Sequence, residues 1–113
     1  MSTITGIAQS GLEAATTRLN VSANNLANAL TDGFQPSRVS SAEVPGGGVT
    51  SSVSKAVDPL AEARADRALL ATSGTDLVSE IVAQSTAARL FEANAASLRT
   101  ADEIFQAALK LKP

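Results

Sequence analysis

The side chains best suited to catalysis are either missing from this sequence or scattered along it. There is no His and no Cys, which removes the usual general base at neutral pH, the thiolate nucleophile and two common transition-metal ligands. A catalytic carboxylate pair stays open, although most of the glutamates fall at expected exposed helix positions. They are Glu13, Glu43, Glu62, Glu80, Glu92 and Glu103. Residues 46–48 (GGG) lack the Gly-Lys-Ser/Thr of a phosphate loop. We therefore predict no enzyme activity, cofactor or metal.

A cluster of asparagines is the other candidate for specific chemistry. Asn24, Asn25 and Asn28 fall within five positions near the end of the first predicted helix, and Asn94 lies inside the last one. Asn is a poor helix former because its amide competes for backbone groups. Either these amides make specific hydrogen bonds across helices or subunits, or they mark an exposed, fraying helix end. Composition favours neither explanation.

Length and composition limit what one copy of this chain can bury. The chain has 113 residues and 44% hydrophobic residues, but alanine supplies much of that fraction and aromatics are only 3%. Alanine favours helix and buries little area, so a lone monomer is expected to be marginal and to gain burial from neighbours. The net charge of −2 argues against nucleic acid as a partner. No apolar run approaches the roughly 18–20 residues that span a bilayer, and the first twelve residues lack the positive charge of a signal peptide.

The stretch from about Ile4 to Thr31 has the spacing of a coiled-coil helix. Small or apolar residues recur in alternating steps of four and three. They are Ala8, Leu12, Ala15, Leu19, Ser22, Leu26 and Ala29. This pattern predicts a helix with one packed stripe. Ser10 and Glu13 fit a capping box, which predicts a stable helix from Gly11 and a fraying segment before it.

This first helix is predicted to end at residues 31–34. Gly33 is suited to the left-handed conformation that follows a helix C-terminus, and Pro36 prevents easy continuation. Phe34 is expected to fold back over the last turn.

The last segment, from about Asp76 to Leu111, repeats the heptad pattern. Its predicted stripe is Ile81, Gln84, Ala88, Phe91, Ala95, Leu98, Asp102, Phe105 and Leu109. A helix of this length is about 50 Å long at about 1.5 Å per residue, which the rest of a small chain cannot cover on all sides. The first helix is the expected partner, and other copies of the chain come next.

The middle of the chain differs in composition. Residues 35–57 are rich in Ser, Val, Pro and Gly, with partial period-two spacing at Val49, Val53 and Val57 and a loop at 45–48. They predict a loose hairpin or an extended arm. Asp58-Pro59 suits the start of a short helix over residues 60–71. The predicted fold is therefore mainly α: residues 1–34 and 75–113 pair as an antiparallel coiled coil, and 35–74 form an extended or β-hairpin segment.

Both ends of the chain resemble the flagellar axial family, which comprises rod, hook and hook-associated proteins. The N-terminal resemblance lies in residues 10–15 (SGLEAA) and 24–34 (NNLANALTDGF), and the C-terminal one in 76–82 (DLVSEIV), 91–95 (FEANA) and 100–104 (TADEI). Leu30, Asp32, Gln35 and Arg89-Leu90 depart from the family pattern. The short middle excludes a full hook protein, and the length together with residues 47–49 resembles the small proximal-rod type.

The resemblance implies a structural subunit of the basal-body rod or the rod–hook junction. The terminal helices would pair in the inner tube, and the middle segment would make contacts further out. Subunits of this family leave through the flagellar type III export apparatus without signal cleavage, which implies a location in the periplasm-spanning rod. The implied partners are other rod and hook subunits, copies of the chain and the export apparatus. The alternative is a soluble helical adaptor or export chaperone.

Fourteen residues are the candidates for helix and subunit contacts. Those in the N-terminal segment are Leu12, Leu19, Asn24, Asn25, Leu26, Asn28, Thr31, Gly33 and Phe34. Those in the C-terminal segment are Ile81, Phe91, Asn94, Leu98 and Phe105.

Overall fold

The computed structural model describes residues 3–57 and 73–111. Helix α1 spans Ile4–Ala27, strands β1 and β2 span Ser37–Glu43 and Val49–Lys55, and helix α2 spans Leu77–Lys110. The helices pack against each other in antiparallel directions, and the hairpin lies between them in sequence and packs on α1. The predicted mainly helical fold with a short hairpin is confirmed. The helix predicted over residues 60–71 lies outside the described residues.

Helix α1 begins earlier than the sequence predicted. Thr3 is the N-cap, and its Oγ1 accepts a hydrogen bond from the Gly6 amide at 3.2 Å. The capping box proposed for Ser10 and Glu13 is wrong. Ser10 Oγ instead donates to the Ile7 carbonyl at 2.7 Å, as serines inside helices often do, and the helix runs through it.

The end of α1 also differs from the prediction. The helix stops at Ala27, four residues before Thr31. Asn28 Nδ2 donates to the Asn24 carbonyl at 3.0 Å, so the asparagine amide satisfies one of the last helical carbonyls. A turn then leads to Gly33, which has the predicted left-handed conformation with φ of 70°. Residues 28–34 therefore form a capping turn rather than a last helical turn.

Helix α2 follows the predicted bounds. Asp76 is its N-cap and accepts hydrogen bonds from Ser79 Oγ at 2.6 Å and from the Val78 amide at 3.1 Å. The Ser79 hydroxyl, and after it the backbone amides, hold the pKa of the Asp76 carboxyl below its ordinary value. With 34 residues, α2 is about 51 Å long, and α1 with 24 residues is about 36 Å. The C-terminal end of α2 therefore extends past the start of α1.

The line of closest approach between the helices is made of small residues. Ala8, Ala15 and Ser22 of α1 are buried as predicted, and Ala87 is the buried residue of α2. The predicted neighbour Ala88 is exposed instead, so the packed line on α2 is rotated by one residue at this point. Small side chains let two helix backbones approach closely, which places the larger predicted residues beside the contact rather than inside it.

Gly11 and Asn94 are the tightest example of this small-residue packing. A methyl group at Gly11 would lie 2.6 Å from Asn94 Cγ and 2.7 Å from Nδ2. The Asn94 amide is itself held by a bond of 2.8 Å from its Nδ2 to the Leu90 carbonyl. At this helix spacing, a side chain at position 11 would therefore require the Asn94 amide to move away from its bond to Leu90.

The hairpin has a regular antiparallel register with Val39 opposite Val53 and Ser41 opposite Ser51. Its turn contains Gly46, Gly47 and Gly48, all with positive φ near 100°. Side chains at the last two would meet Ile7 and Ser10 of α1, so the hairpin tip lies directly against the start of that helix. None of the described helices is both long enough and apolar enough to cross a membrane.

We predict that Gly11→Ala destabilises the protein even though alanine is the better helix former. The overlap with Asn94 is expected to outweigh the helix-propensity gain and leave a net loss of about 1–2 kcal/mol. Thermal unfolding followed by circular dichroism measures the change. Gly6→Ala is the matched control, because its nearest new contact is at 3.6 Å, and it should be neutral or stabilising.

The double variant Gly11→Ala/Asn94→Ala tests the assigned contact. Removing the Asn94 amide opens the space that the new methyl group needs. If Asn94→Ala does not relieve the loss caused by Gly11→Ala, the close contact is not the reason for it.

Candidate subunit-contact surfaces

The Asn25 side chain joins three elements of the fold. Its exposed fraction is 1%, and it is the largest fully buried side chain among the described residues. Nδ2 donates to the Ser37 carbonyl of β1 at 2.8 Å and to Glu80 Oε1 of α2 at 2.9 Å. Oδ1 accepts from the Ser37 amide at 2.8 Å. The amide is thus bonded at both ends and fixes the hairpin base against both helices.

Two further hydrogen bonds support the same junction. Ser22 Oγ donates to the Glu80 carbonyl at 2.9 Å, and Thr75 Oγ1 donates to the Asn25 carbonyl at 3.2 Å. No buried side-chain nitrogen or oxygen within the described ranges lacks a hydrogen-bond partner. Because a polar group inside a packed contact must be matched, this network sets the register between the helices.

The other asparagines do different work. Asn28 caps the end of α1, and its Oδ1 accepts from Thr31 Oγ1 at 3.1 Å. Asn24 is exposed. Asn94 is half-buried against Gly11. The sequence allowed either specific amide hydrogen bonds across helices or an exposed helix end. Asn25 makes hydrogen bonds across the helices, and Asn28 lies at the helix end and caps it.

The glycine and phenylalanine that follow α1 are placed around the hairpin base. Gly33 makes the left-handed turn, and Phe34 is half-buried with Lys55 Nζ 5.1 Å from its ring centroid. Lys55 Nζ also donates to the Gln35 carbonyl at 3.1 Å. The Phe34 carbonyl accepts from the Gly74 amide at 3.0 Å, which ties the start of the C-terminal segment to this turn.

Two polar links hold the rest of the hairpin on α1. Arg18 Nη2 donates to Ser41 Oγ at 2.9 Å, and the Val49 amide donates to Ser10 Oγ at 3.1 Å. The strands themselves are mostly exposed. The hairpin is therefore attached by hydrogen bonds at its base, middle and tip, and it adds little apolar burial.

The predicted large residues of the heptad stripe flank the helix contact. Leu12, Leu19, Leu26 and Leu98 are half-buried. On α2, Ile81 is 56% exposed, Phe91 is 41% exposed and Phe105 is 63% exposed. We call the row of α2 residues Leu77, Ile81, Phe91, Leu98, Phe105 and Leu109 the α2 stripe; its members fall on one side of the helix at heptad spacing.

The whole chain is far more open than a compact domain of its size. Its radius of gyration is 19.5 Å, against about 13 Å expected for a compact chain of this length. Its accessible surface is 8288 Å², against about 5,800 Å² for a folded monomer of this mass. The buried hydrophobic residues in the described ranges are all alanines: Ala8, Ala14, Ala15 and Ala87. The larger apolar side chains consequently remain available for neighbours.

Sequence reasoning missed several residues of the Asn25 junction. Ser37 and Thr75 carried no pattern that would mark them, because each contributes a bond to a residue distant in sequence. Glu80 was named only as a glutamate and as part of the resemblance at residues 76–82, and not as a partner of Asn25. Ser10 was noticed, but for a local capping role rather than for its bond to the hairpin. The described residues include no group of three or more carboxylates that could hold a metal ion.

Comparisons with known families match both ends of the chain. Residues 7–35 match the model of the flagella basal body rod protein family, and residues 68–111 match the C-terminal model of the flagellar basal body rod FlgEFG proteins. The first match covers most of α1 and the turn after it, and the second covers α2. A comparison with individual curated proteins gave no match. The family resemblance seen in the sequence is confirmed.

We predict that Asn25→Ala lowers the free energy of unfolding by about 2–3 kcal/mol, because the Ser37 amide and carbonyl lose their partner in a buried place. Chemical denaturation followed by circular dichroism measures it. Asn24→Ala is the control, since this neighbouring asparagine is exposed and should change stability little. Equal effects of the two substitutions would contradict the role assigned to Asn25.

Proposed function

Because the chain carries both terminal domains of the flagellar basal body rod proteins, we propose that it is exported unfolded and polymerises through its terminal helices into the rod or the rod–hook junction. A structural role in the flagellar basal body rod is what the two family matches support directly. The observation that carries the finer proposal is the α2 stripe, in which five of the six large apolar residues remain 41–63% exposed beside α1.

Exposed apolar rows of this kind are typical of surfaces that a partner covers. Half-burial of Ile81, Phe91 and Phe105 by other subunits would supply the hydrophobic contacts that the alanine-lined helix contact lacks. The partners we propose are further copies of the chain and other rod or hook subunits, with the export apparatus as a transient partner. Of the fourteen candidates named from the sequence, Asn25 is buried within its own chain and makes helix and hairpin contacts there. The other thirteen remain our proposal for helix and subunit contacts.

A weakly stable monomer suits passage through an export channel. The alanine contact buries little apolar area, and the hairpin is held mainly by hydrogen bonds. A chain of this kind unfolds at low free-energy cost and regains stability when neighbours cover the α2 stripe. On this proposal, the assembled chain lies in the periplasm-spanning part of the basal body.

The alternative function, a soluble helical adaptor or export chaperone, differs in how it depends on concentration. We predict that helicity, measured by circular dichroism, rises with protein concentration over the micromolar range, because association supplies missing burial. Cooperative melting of a fully helical protein at the lowest concentration, with no change on tenfold concentration, would favour the adaptor.

We predict that Ile81→Ser reduces rod formation in a strain lacking the native gene. On the proposal, a neighbouring subunit buries the exposed half of the Ile81 side chain, and serine loses that apolar burial. Each subunit contact is then weaker by about 1 kcal/mol, which lowers its association constant roughly fivefold, and the effect multiplies along a polymer. Electron microscopy of basal bodies counts complete rods. Val82→Ser is the matched control, since Val82 is 59% exposed but lies off the stripe.

Two outcomes would count against this proposal. Complete rods and normal motility in the deletion strain itself, with no second gene copy, would remove the structural role. Equal rod numbers with Ile81→Ser and Val82→Ser would leave the rod role standing and remove the α2 stripe as its contact surface.

A further inference from the structure

Apolar exposure among the described residues is greatest at the two ends of the elongated molecule. Where α1 ends and α2 begins, Leu30 is 95% exposed and Val78 is 71% exposed. At the opposite end, where α1 begins, Ile4, Ile104 and Phe105 are all about 60% exposed. Leu90, along the middle of α2, is 39% exposed. Among the described residues, the two ends therefore carry the most exposed apolar side chains.

The end near the start of α1 is a groove rather than a flat patch. Residues 3–5 form one wall, and α2 forms the other from Ala95 to Ala108. The apolar lining includes Ile4, Leu98, Ile104 and Phe105, and polar side chains such as Arg99 also line it.

This groove continues the contact between the two helices. Ala87, Leu98 and Phe105 follow one another along the side of α2 that faces α1. Ala87 is buried and Leu98 half-buried, but Phe105 is 63% exposed because it lies on the part of α2 that extends past the start of α1. A further apolar side chain entering there would extend an interface that the chain already forms with itself.

Leu30 has the shape and position of such a side chain. It stands in the turn after α1, between Asn28 and Thr31, and projects from the end of the molecule opposite the groove. Its backbone neighbours are held by the bonds from Thr31 to Asn28, so the leucine is presented on an ordered turn.

We propose that Leu30 of one copy of the chain inserts into the groove beside Ile4 and Phe105 of the next copy. This inference rests on the proposed function and specifies which surfaces meet. Because the two surfaces lie at opposite ends, the contact is heterologous: each copy uses its Leu30 for one neighbour and its groove for another. Repeating it builds an open row instead of a closed pair.

The test uses two variants that each lose one side of the contact. Leu30→Ser keeps the groove, and Phe105→Ser keeps Leu30. Sedimentation velocity of the purified full chain over a concentration series measures association. Circular dichroism at the lowest concentration, where the parent is dissociated too, checks that both variants keep the parent's monomer helicity. The parent should associate progressively, and each variant alone should associate at least tenfold more weakly. Val53→Ser is the control, because Val53 is 51% exposed on the hairpin, at neither end.

Mixing the two variants distinguishes this contact from a symmetric one. Intact Leu30 of the Phe105→Ser variant can enter the intact groove of the Leu30→Ser variant, so an equimolar mixture should form one-to-one dimers that do not grow further. A symmetric end-to-end contact would give no such mixed dimer.

Three results would overturn the inference. They are a parent chain that stays monomeric throughout the concentration series, either variant associating as the parent does, and a mixture that forms no dimer. The proposed function is tested separately by complementation of the deletion strain. If the parent and both variants restore rods equally, the function survives and the Leu30 contact fails; if the parent restores none, the function itself fails.

Discussion

The fold depends on a single buried amide. Asn25 is bonded to β1 through both the amide and the carbonyl of Ser37, and to α2 through the Glu80 carboxylate. An apolar contact made of alanines is nearly equally favourable at several registers. It therefore does not fix the position of one helix along the axis of the other. A buried polar side chain does fix it, because any other register leaves its hydrogen bonds unmade. The hairpin base and both helices are thus located by the same residue.

The alanine contact between the helices and the exposure of the larger apolar residues have the same structural origin. The smallest side chains face the partner helix, which lets the backbones come close enough for Gly11 to touch Asn94. Larger residues of the heptad pattern such as Ile81 and Phe91 lie beside this contact and remain exposed. A globular protein would place them the other way round. On the proposed function, this arrangement leaves the larger hydrophobic side chains to be buried by neighbouring subunits.

Much of the fold could be predicted from the sequence because the signals are local and repeated. Heptad spacing predicted both helices, and the glycine-rich segment indicated the hairpin that the structure contains. The heptad pattern could not decide whether Ala87 or Ala88 faces α1. Each alanine belongs to a series of residues with the same spacing, and the two series differ only by one position along the helix. The Ser10 capping box failed because Thr3 offered an earlier cap and the hydroxyl of Ser10 had a distant partner in Val49. Bonds such as Asn25 to Glu80 join residues 55 positions apart, and no local pattern reports them.

The link between Ser10 and Val49 has a consequence for the order in which the parts become ordered. Ser10 Oγ donates to Ile7 within α1 and accepts from the hairpin, so its acceptor position is set only after that helical turn exists. The hairpin needs only residues that precede it in the chain, whereas the Asn25 amide waits for Glu80 of the last helix to complete its bonding. A chain emerging with its N-terminus first therefore contains the α1 partners of the hairpin before α2 is present, and α2 then supplies Glu80, the last partner of the Asn25 amide.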